Sequence, residues 1–289
     1  MIDFWRALPG NELLAGGVLA GLLAAIACGA TGPLVVARGL VLLVGAIAHV
    51  AVGGVGLALY VRHRWPEAFG WLEPTHGALV VSVAAAIGLA VVRRRAGDRL
   101  DMLVGAIWAA GMSAGLLAAR SVPGGQAELN IALFGNLAAV PQSTLITSAV
   151  LTAAILVSIG LVGRRLLVTT IDADFARTRG MSVDHLEMFL LVLVALAVVI
   201  LVQVTGLLLV LALLTLPAAT VGHWARRLWS ITLLAGGLAA ILATVPRAAV
   251  YGTALPPEAA IVGAAALTYL ASLMLRGVLN RRTSRRLTA

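Results

Sequence analysis

The sequence predicts an all-α membrane protein, a polytopic bundle of eight or nine spanning helices, on three observations. Of its 289 residues 61% are hydrophobic and only 11% charged, where a soluble domain has roughly half and roughly a quarter. The charged residues gather in short stretches, and most intervals free of Asp, Glu and Arg have the length of a membrane-crossing helix, roughly 17–25 residues. The two intervals that run longer both contain helix-breaking residues.

In chain order, the intervals 13–37, 39–61, 74–92 and 102–119 each suit one crossing. The interval 129–163 contains "FGNLAAVP", where Gly135, Asn136 and Pro141 interrupt a helix. A short or re-entrant helix is predicted there, followed by a crossing over about 143–163. As one helix rising ~1.5 Å per residue, the interval 188–225 would overshoot a core of ~30 Å. The "QVTG" at 203–206 allows a turn or bend at Gly206, so two crossings fit better. The intervals 228–246 and 259–275 add one crossing each.

Nine crossings follow, or eight if one segment is re-entrant. With the C-terminus inside, sixteen of the 21 arginines fall in inner segments. Arg6, Arg62, Arg64, Arg120 and Arg247 fall outside, a bias that fits the positive-inside rule and places the N-terminus outside. The opening "MIDFWRALPGNE" lacks a basic start, and the apolar run after it is too long for a signal peptide. Gly17 and Gly21, four apart, let helix backbones approach closely, a spacing too common to identify a function.

The net charge is +9 and every basic residue is arginine. Without lysine there is no P-loop lysine to reach nucleotide phosphates and no Schiff-base amine. If ATP drives this protein, another chain binds it; codon composition accounts for the bias itself. The single Cys28 cannot form an intrachain disulfide and says nothing of redox compartment. No nucleophile, base or metal cluster emerges at the membrane faces, so an enzyme is not expected, nor a nucleic-acid partner.

The most polar inner segment is "RRLLVTTIDADFARTRGMSVDHLE", 164–187. Within it "DADFARTRG" reads as a short helix outside the membrane. Asp172 and Asp174 suit its N-terminus, Arg177 and Arg179 its last turn, and Gly180 its stop. From the residues alone it is equally a solvated connector or a helix that docks into a cytoplasmic partner.

That segment resembles the cytoplasmic coupling region of the zinc/manganese permeases of ABC importers, which read like "D-x-x-F-A-R-x-x-G". The matching positions are Asp172, Phe175, Ala176, Arg177 and Gly180. "QVTGLLLVLALLTLPAATVGHWARRL", 203–228, resembles the family's "Q-V-V-G-x-L-L-V-x-A-L-L-x-x-P-A-A-T-A" and is the strongest piece. "PGGQAELNIALFGNLAAV", 123–140, is similar to a "D-L-x-x-Y-L-F-G" stretch. "LVLLVGAIAHVAVGGVGLAL", 40–59, is similar to "M-x-L-L-G-D-A-L-S-H-A-x-L-P-G-x-A-L". The resemblance covers nearly the whole chain. It implies a type II importer permease working as a dimer of this chain, with two ATP-binding cassette subunits beneath and an extracytoplasmic metal-binding protein outside. The coupling contact would fall on Asp172, Asp174, Phe175, Ala176, Arg177, Arg179 and Gly180. No cofactor is expected in this chain: ATP belongs to the partner subunit, and Zn²⁺ or Mn²⁺ is the cargo.

The resemblance also bears on His49, the only acidic or basic side chain between Arg38 and Arg62. The family carries an aspartate four residues before the histidine, on the same helix face, and a carboxylate with an imidazole suits Zn²⁺ or Mn²⁺. Here that position is Gly45, the family's serine is Ala48 and its proline is Gly53. Three readings follow. His49 lines the pathway and meets its copy across the dimer; His49 is a packed polar residue bonded to a neighbouring helix; or the cargo has changed and no metal binds here. An ionisable residue inside the membrane is a functional candidate by default.

Other candidates are sparse, because no Asp or Glu lies well inside a span. Asp101, Glu128 and Glu258 sit at span edges, and His223 beside Trp224, Arg226 and Arg227 reads as interfacial. Gln203 and Thr205 satisfy a helix break, and His63, His76, Glu67 and Glu73 form an outer loop able to meet a binding protein.

The expected protein is thus one transmembrane domain over 1–289, with a coupling segment at about 166–186 and an Arg-rich cytoplasmic tail at 276–289. It would be the multi-pass permease of a zinc or manganese ABC importer in the cytoplasmic (inner) membrane. The alternatives are the same architecture carrying a metal chelate or other cargo, and an ion-coupled secondary transporter. The latter usually shows intramembrane carboxylates, which this chain lacks.

Overall fold

Peptide groups inside a bilayer must be paired within their own segment, so long apolar runs become helices. A computed structural model describes residues 2–96, 99–135, 140–253 and 255–287, and the side chains of 4–8, 10–95, 99–135, 140–253 and 255–279. Among the described residues the chain forms α1 (Ile2–Ala7), α2 (Glu12–Ala37), α3 (Val41–Arg64), α4 (Pro66–Phe69), α5 (Pro74–Ala96), α6 (Leu100–Arg120) and α7 (Gly125–Phe134). It continues through α8 (Gln142–Ile171), α9 (Ala173–Thr178), α10 (Val183–Thr205), α11 (Leu207–Gly222), α12 (Leu228–Val250) and α13 (Pro257–Leu287). Asn136 and most of the arginine-rich tail's side chains lie outside the described residues.

Among the described residues, eight helices are long and apolar enough to cross a membrane: α2, α3, α5, α6, α8, α10, α12 and α13. The ninth pass, α11, has only 16 residues, about 24 Å at ~1.5 Å each. The count of eight or nine therefore depends on whether this short return is included. Gly206 makes the break, at φ +76° between the end of α10 and the start of α11. Thr205 turns its hydroxyl back onto the carbonyl of Leu201 at 2.9 Å, as a helix-end hydroxyl with no other partner does.

The predicted short helix before Pro141 is α7, which stops at Gly135 with φ +82°. Gly135 and Gly206 pack against each other, so the ends of α7 and α10 meet at one joint. Two boundaries differ from expectation, and one is the last crossing, expected over 259–275, whose helix runs on to Leu287. The other is the crossing expected to end near 163, which continues through Arg164 and Arg165 to Ile171. Arginines end an apolar span, but their own helix propensity is high and the helix runs on beyond it.

The helix directions follow from facing residues. Gly21 meets Ala243 and Gly29 meets Gly236, so α2 and α12 run antiparallel. Gly16 meets Leu145, and Thr152 donates to the Leu23 carbonyl at 3.5 Å, so α2 and α8 run parallel. Gly53 meets Gly111 and Gly56 meets Gly115, so α3 and α6 are parallel, while Gly54 against Gly77 sets α5 antiparallel to α3. A Cβ at Gly53 or Gly56 would collide with a carbonyl oxygen of α6, so glycine is what allows this close approach.

Two faces result. Arg38, Arg93, Arg94, Asp184 and Glu187 gather at one. At the other, Glu73, Glu128, Thr144 and Gln203 line a common hollow, and Arg247 lies over Phe4. The centre of the bundle is α3 and α10, with 78% and 72% of their apolar windows buried, against 17% for α6, α8 and α13.

Candidate ion pathway and coupling surface

His49 sits about a third of the way along the central helix α3, half-buried. Its Nδ1 lies 2.8 Å from the carbonyl oxygen of Gly45. A carbonyl only accepts, so Nδ1 carries the proton, and in the neutral imidazole Nε2 keeps its lone pair. Metal-binding histidines are commonly held this way, the second nitrogen donating to a backbone carbonyl.

The imidazole packs against Trp108 of α6, ring centroids 4.1 Å apart and planes tilted by 38°. The same indole covers Gly45. A Cβ built there would lie 3.1 Å from Trp108 Cζ3 and 3.6 Å from Leu211 Cδ1 of α11. The place from which a side chain one turn earlier would meet His49 is filled by Trp108. Nothing local in the sequence pointed to Trp108; it reaches His49 only because α3 and α6 pack glycine to glycine.

Below α3, Arg38 occupies the turn between α2 and α3. Its Nη1 donates to Glu187 Oε2 at 2.9 Å and its Nε to Thr170 Oγ1 at 3.3 Å. Glu187 also takes Arg93 Nε at 3.2 Å. Burial pulls the Arg38 guanidinium below its ordinary range, and Glu187 pushes it back up. A guanidinium stays charged through such a shift. One buried cation thus joins the start of the His49 helix to the ends of α8 and α10. Sequence reading used Arg38 only as a topology marker, because its partner is 149 residues away.

The segment between α8 and α10 forms the helix its residues predict. Asp172, extended at φ −147°, caps α9 by accepting from the Phe175 amide at 2.9 Å. Arg177 donates to Asp174 at 2.9 Å, and Gly180 turns the chain out at φ +73°. Ala176 is buried, whereas Phe175 is 47% exposed with the Arg179 guanidinium 5.2 Å above its ring. The connector expected over about 166–186 is shorter, because α8 runs to Ile171 and α10 begins at Val183.

The remaining candidates do not converge on a metal. Among the described residues no three His, Cys, Asp or Glu side chains are grouped to hold an ion. His223 meets Ser272 Oγ at 3.0 Å, and Trp224 Nε1 donates to the same hydroxyl at 2.8 Å, fastening the end of α11 to α13. His76 Nδ1, in the first turn of α5, accepts from the Glu73 amide at 3.1 Å.

Among the described residues, an all-helical bundle whose long apolar passes alternate between two faces is the architecture of a polytopic membrane protein. The chain belongs to the ABC 3 transport family, whose model matches residues 11–276. The Synechocystis sp. membrane protein slr2045 is 34% identical over 265 residues, 92% of this chain and 91% of that protein. The manganese transport system membrane protein MntC of Listeria monocytogenes is 26% identical over 242 residues, covering 84% and 83%. Among solved structures, PsaBC from Streptococcus pneumoniae in complex with Fab is similar at TM-score 0.82 and 27% identity, covering 94% of this chain and 95% of that one.

Proposed function

We propose that the chain is the permease subunit of an ATP-driven importer that moves a divalent transition metal ion across the cytoplasmic membrane, with His49 on the ion's route. Family membership supports the transport role, and relatives named for metal or manganese transport support the cargo. Within the chain, one observation carries the assignment of His49. Its Nδ1 is committed to the Gly45 carbonyl, which leaves Nε2 as a neutral nitrogen donor on the central helix.

The whole chain acts as one transmembrane domain, paired with a second copy. Two ATP-binding subunits engage α9 through Phe175 and its charged neighbours, and an extracytoplasmic metal-binding protein delivers the ion. The arginine-rich face is cytoplasmic by the positive-inside rule, which puts the start of α2 outside and the end of α13 inside.

The test is ATP-dependent uptake of zinc and manganese into vesicles that hold the full complex. His49→Ala is expected to lower uptake at least about ten-fold, the loss of one good metal–ligand interaction at ~1.4 kcal/mol per decade. Wild-type uptake by that variant removes His49 from the route. Uptake that needs no ATPase overturns the importer assignment.

A further inference from the structure

We propose that Trp108 is a specificity-determining residue, which shuts carboxylates out of the His49 site and leaves a nitrogen-donor site that favours zinc over manganese. The proposal rests on the reading of His49 as part of the ion's route.

The indole covers two positions at once. It packs on the His49 ring at 4.1 Å, and its Cζ3 and Cη2 lie 3.1 and 3.4 Å from where a Cβ at Gly45 would stand. Residues four apart on a helix share a face, so Gly45 is where a second ligand from α3 would be mounted. A methyl there displaces the indole by a few tenths of an ångström. A carboxylate directed at His49 needs the volume the indole itself fills. Leu211 closes the neighbouring side at 3.6 Å.

The rest of the chain does not supply the missing charge. Each Asp and Glu among the described residues lies in a loop, in one of the short helices α1, α4, α7 and α9, or within the first two turns of a spanning helix. The donor that α3 brings inside the bundle is therefore the neutral Nε2 of His49. Imidazole suits zinc, copper and nickel, whereas manganese favours carboxylate and water oxygens and stands lowest in affinity for a given nitrogen site. Trp108 adds an aromatic face beside the ion, attractive to cations in general. By bracing the imidazole it also fixes the direction of the Nε2 lone pair.

The proposal is tested in vesicles holding the full complex, with the same metal-binding protein throughout, so that any change in the zinc-to-manganese uptake ratio belongs to the permease. The wild type is expected to move zinc at least ten-fold faster than manganese. Gly45→Asp alone is expected to lose zinc uptake without gaining manganese. The double variant Gly45→Asp/Trp108→Ala is expected to lower the ratio about ten-fold by admitting manganese. Trp108→Leu, which keeps an apolar side chain in α6, is expected to cut zinc uptake several-fold and leave manganese unchanged. The proposal is overturned by a wild type that carries both metals equally. It is overturned too if Gly45→Asp alone shifts the ratio as far as the double variant, or if Trp108→Leu retains full zinc uptake. A wild type that carries neither metal sinks the importer reading itself, which separates the two failures.

Discussion

Arg38 is the one buried cation that ties the His49 helix to two others at the arginine-rich face. Its fork spans Thr170 and Glu187 at 3.3 and 2.9 Å, and its Nη2 is buried with no partner among the described residues. Arg38→Ala would leave Glu187 facing Arg93 alone at 3.2 Å. Losing hydrogen bonds to a charged group costs roughly 1.5–3 kcal/mol. At roughly 2–4 °C per kcal/mol for a chain of this size, the purified protein should melt several degrees lower. Lysine should not restore the melting temperature, because a point ammonium does not reproduce the planar fork. An Arg38→Ala protein as stable as wild type would show that the cluster is ornamental.

Among the elements, α9 depends most on a single cap. A helix of six residues has almost no stability of its own, and Asp172 supplies the side-chain acceptor at its start. Asp172→Ala should cost about 1 kcal/mol locally and reduce the amount of ATPase that copurifies with the permease. Asp172→Asn, an equally good cap, should retain it. Equal recovery with Asp172→Ala would mean that α9 is not the docking element. This helix was legible in the sequence because a cap, a capping glycine and an i,i+3 ion pair are all local. The break at Gly206 and the stop at Gly135 were legible for the same reason. The full length of α8 was not, since a charge-free interval measures the apolar span and not the helix. Trp108 against Gly45, and Arg38 against Glu187, were hidden because they join helices far apart in the chain. The family resemblance marks residue 45 as the place of an absent carboxylate but not what fills it.

At the scale of the whole molecule, counting the short α11 as a ninth alternating pass would put the start of α2 and the end of α13 at opposite faces. If the arginine-rich face is cytoplasmic, Trp71, 67% exposed in the loop after α4, faces outward. The native Cys28 is buried and gives little background. A Trp71→Cys protein in spheroplasts should react with a membrane-impermeant maleimide, and an Arg179→Cys protein only after permeabilisation. The reverse pattern would invert the orientation. One consequence of the architecture concerns how such a protein changes over evolutionary time. The residue argued to choose the ion rides on α6, a peripheral helix packed chiefly on α3, rather than in the core of α3 and α10. Substitutions at that contact have few neighbours to disturb, so ion preference can drift between lineages while the bundle, its capped coupling helix and its arginine clasp stay as they are.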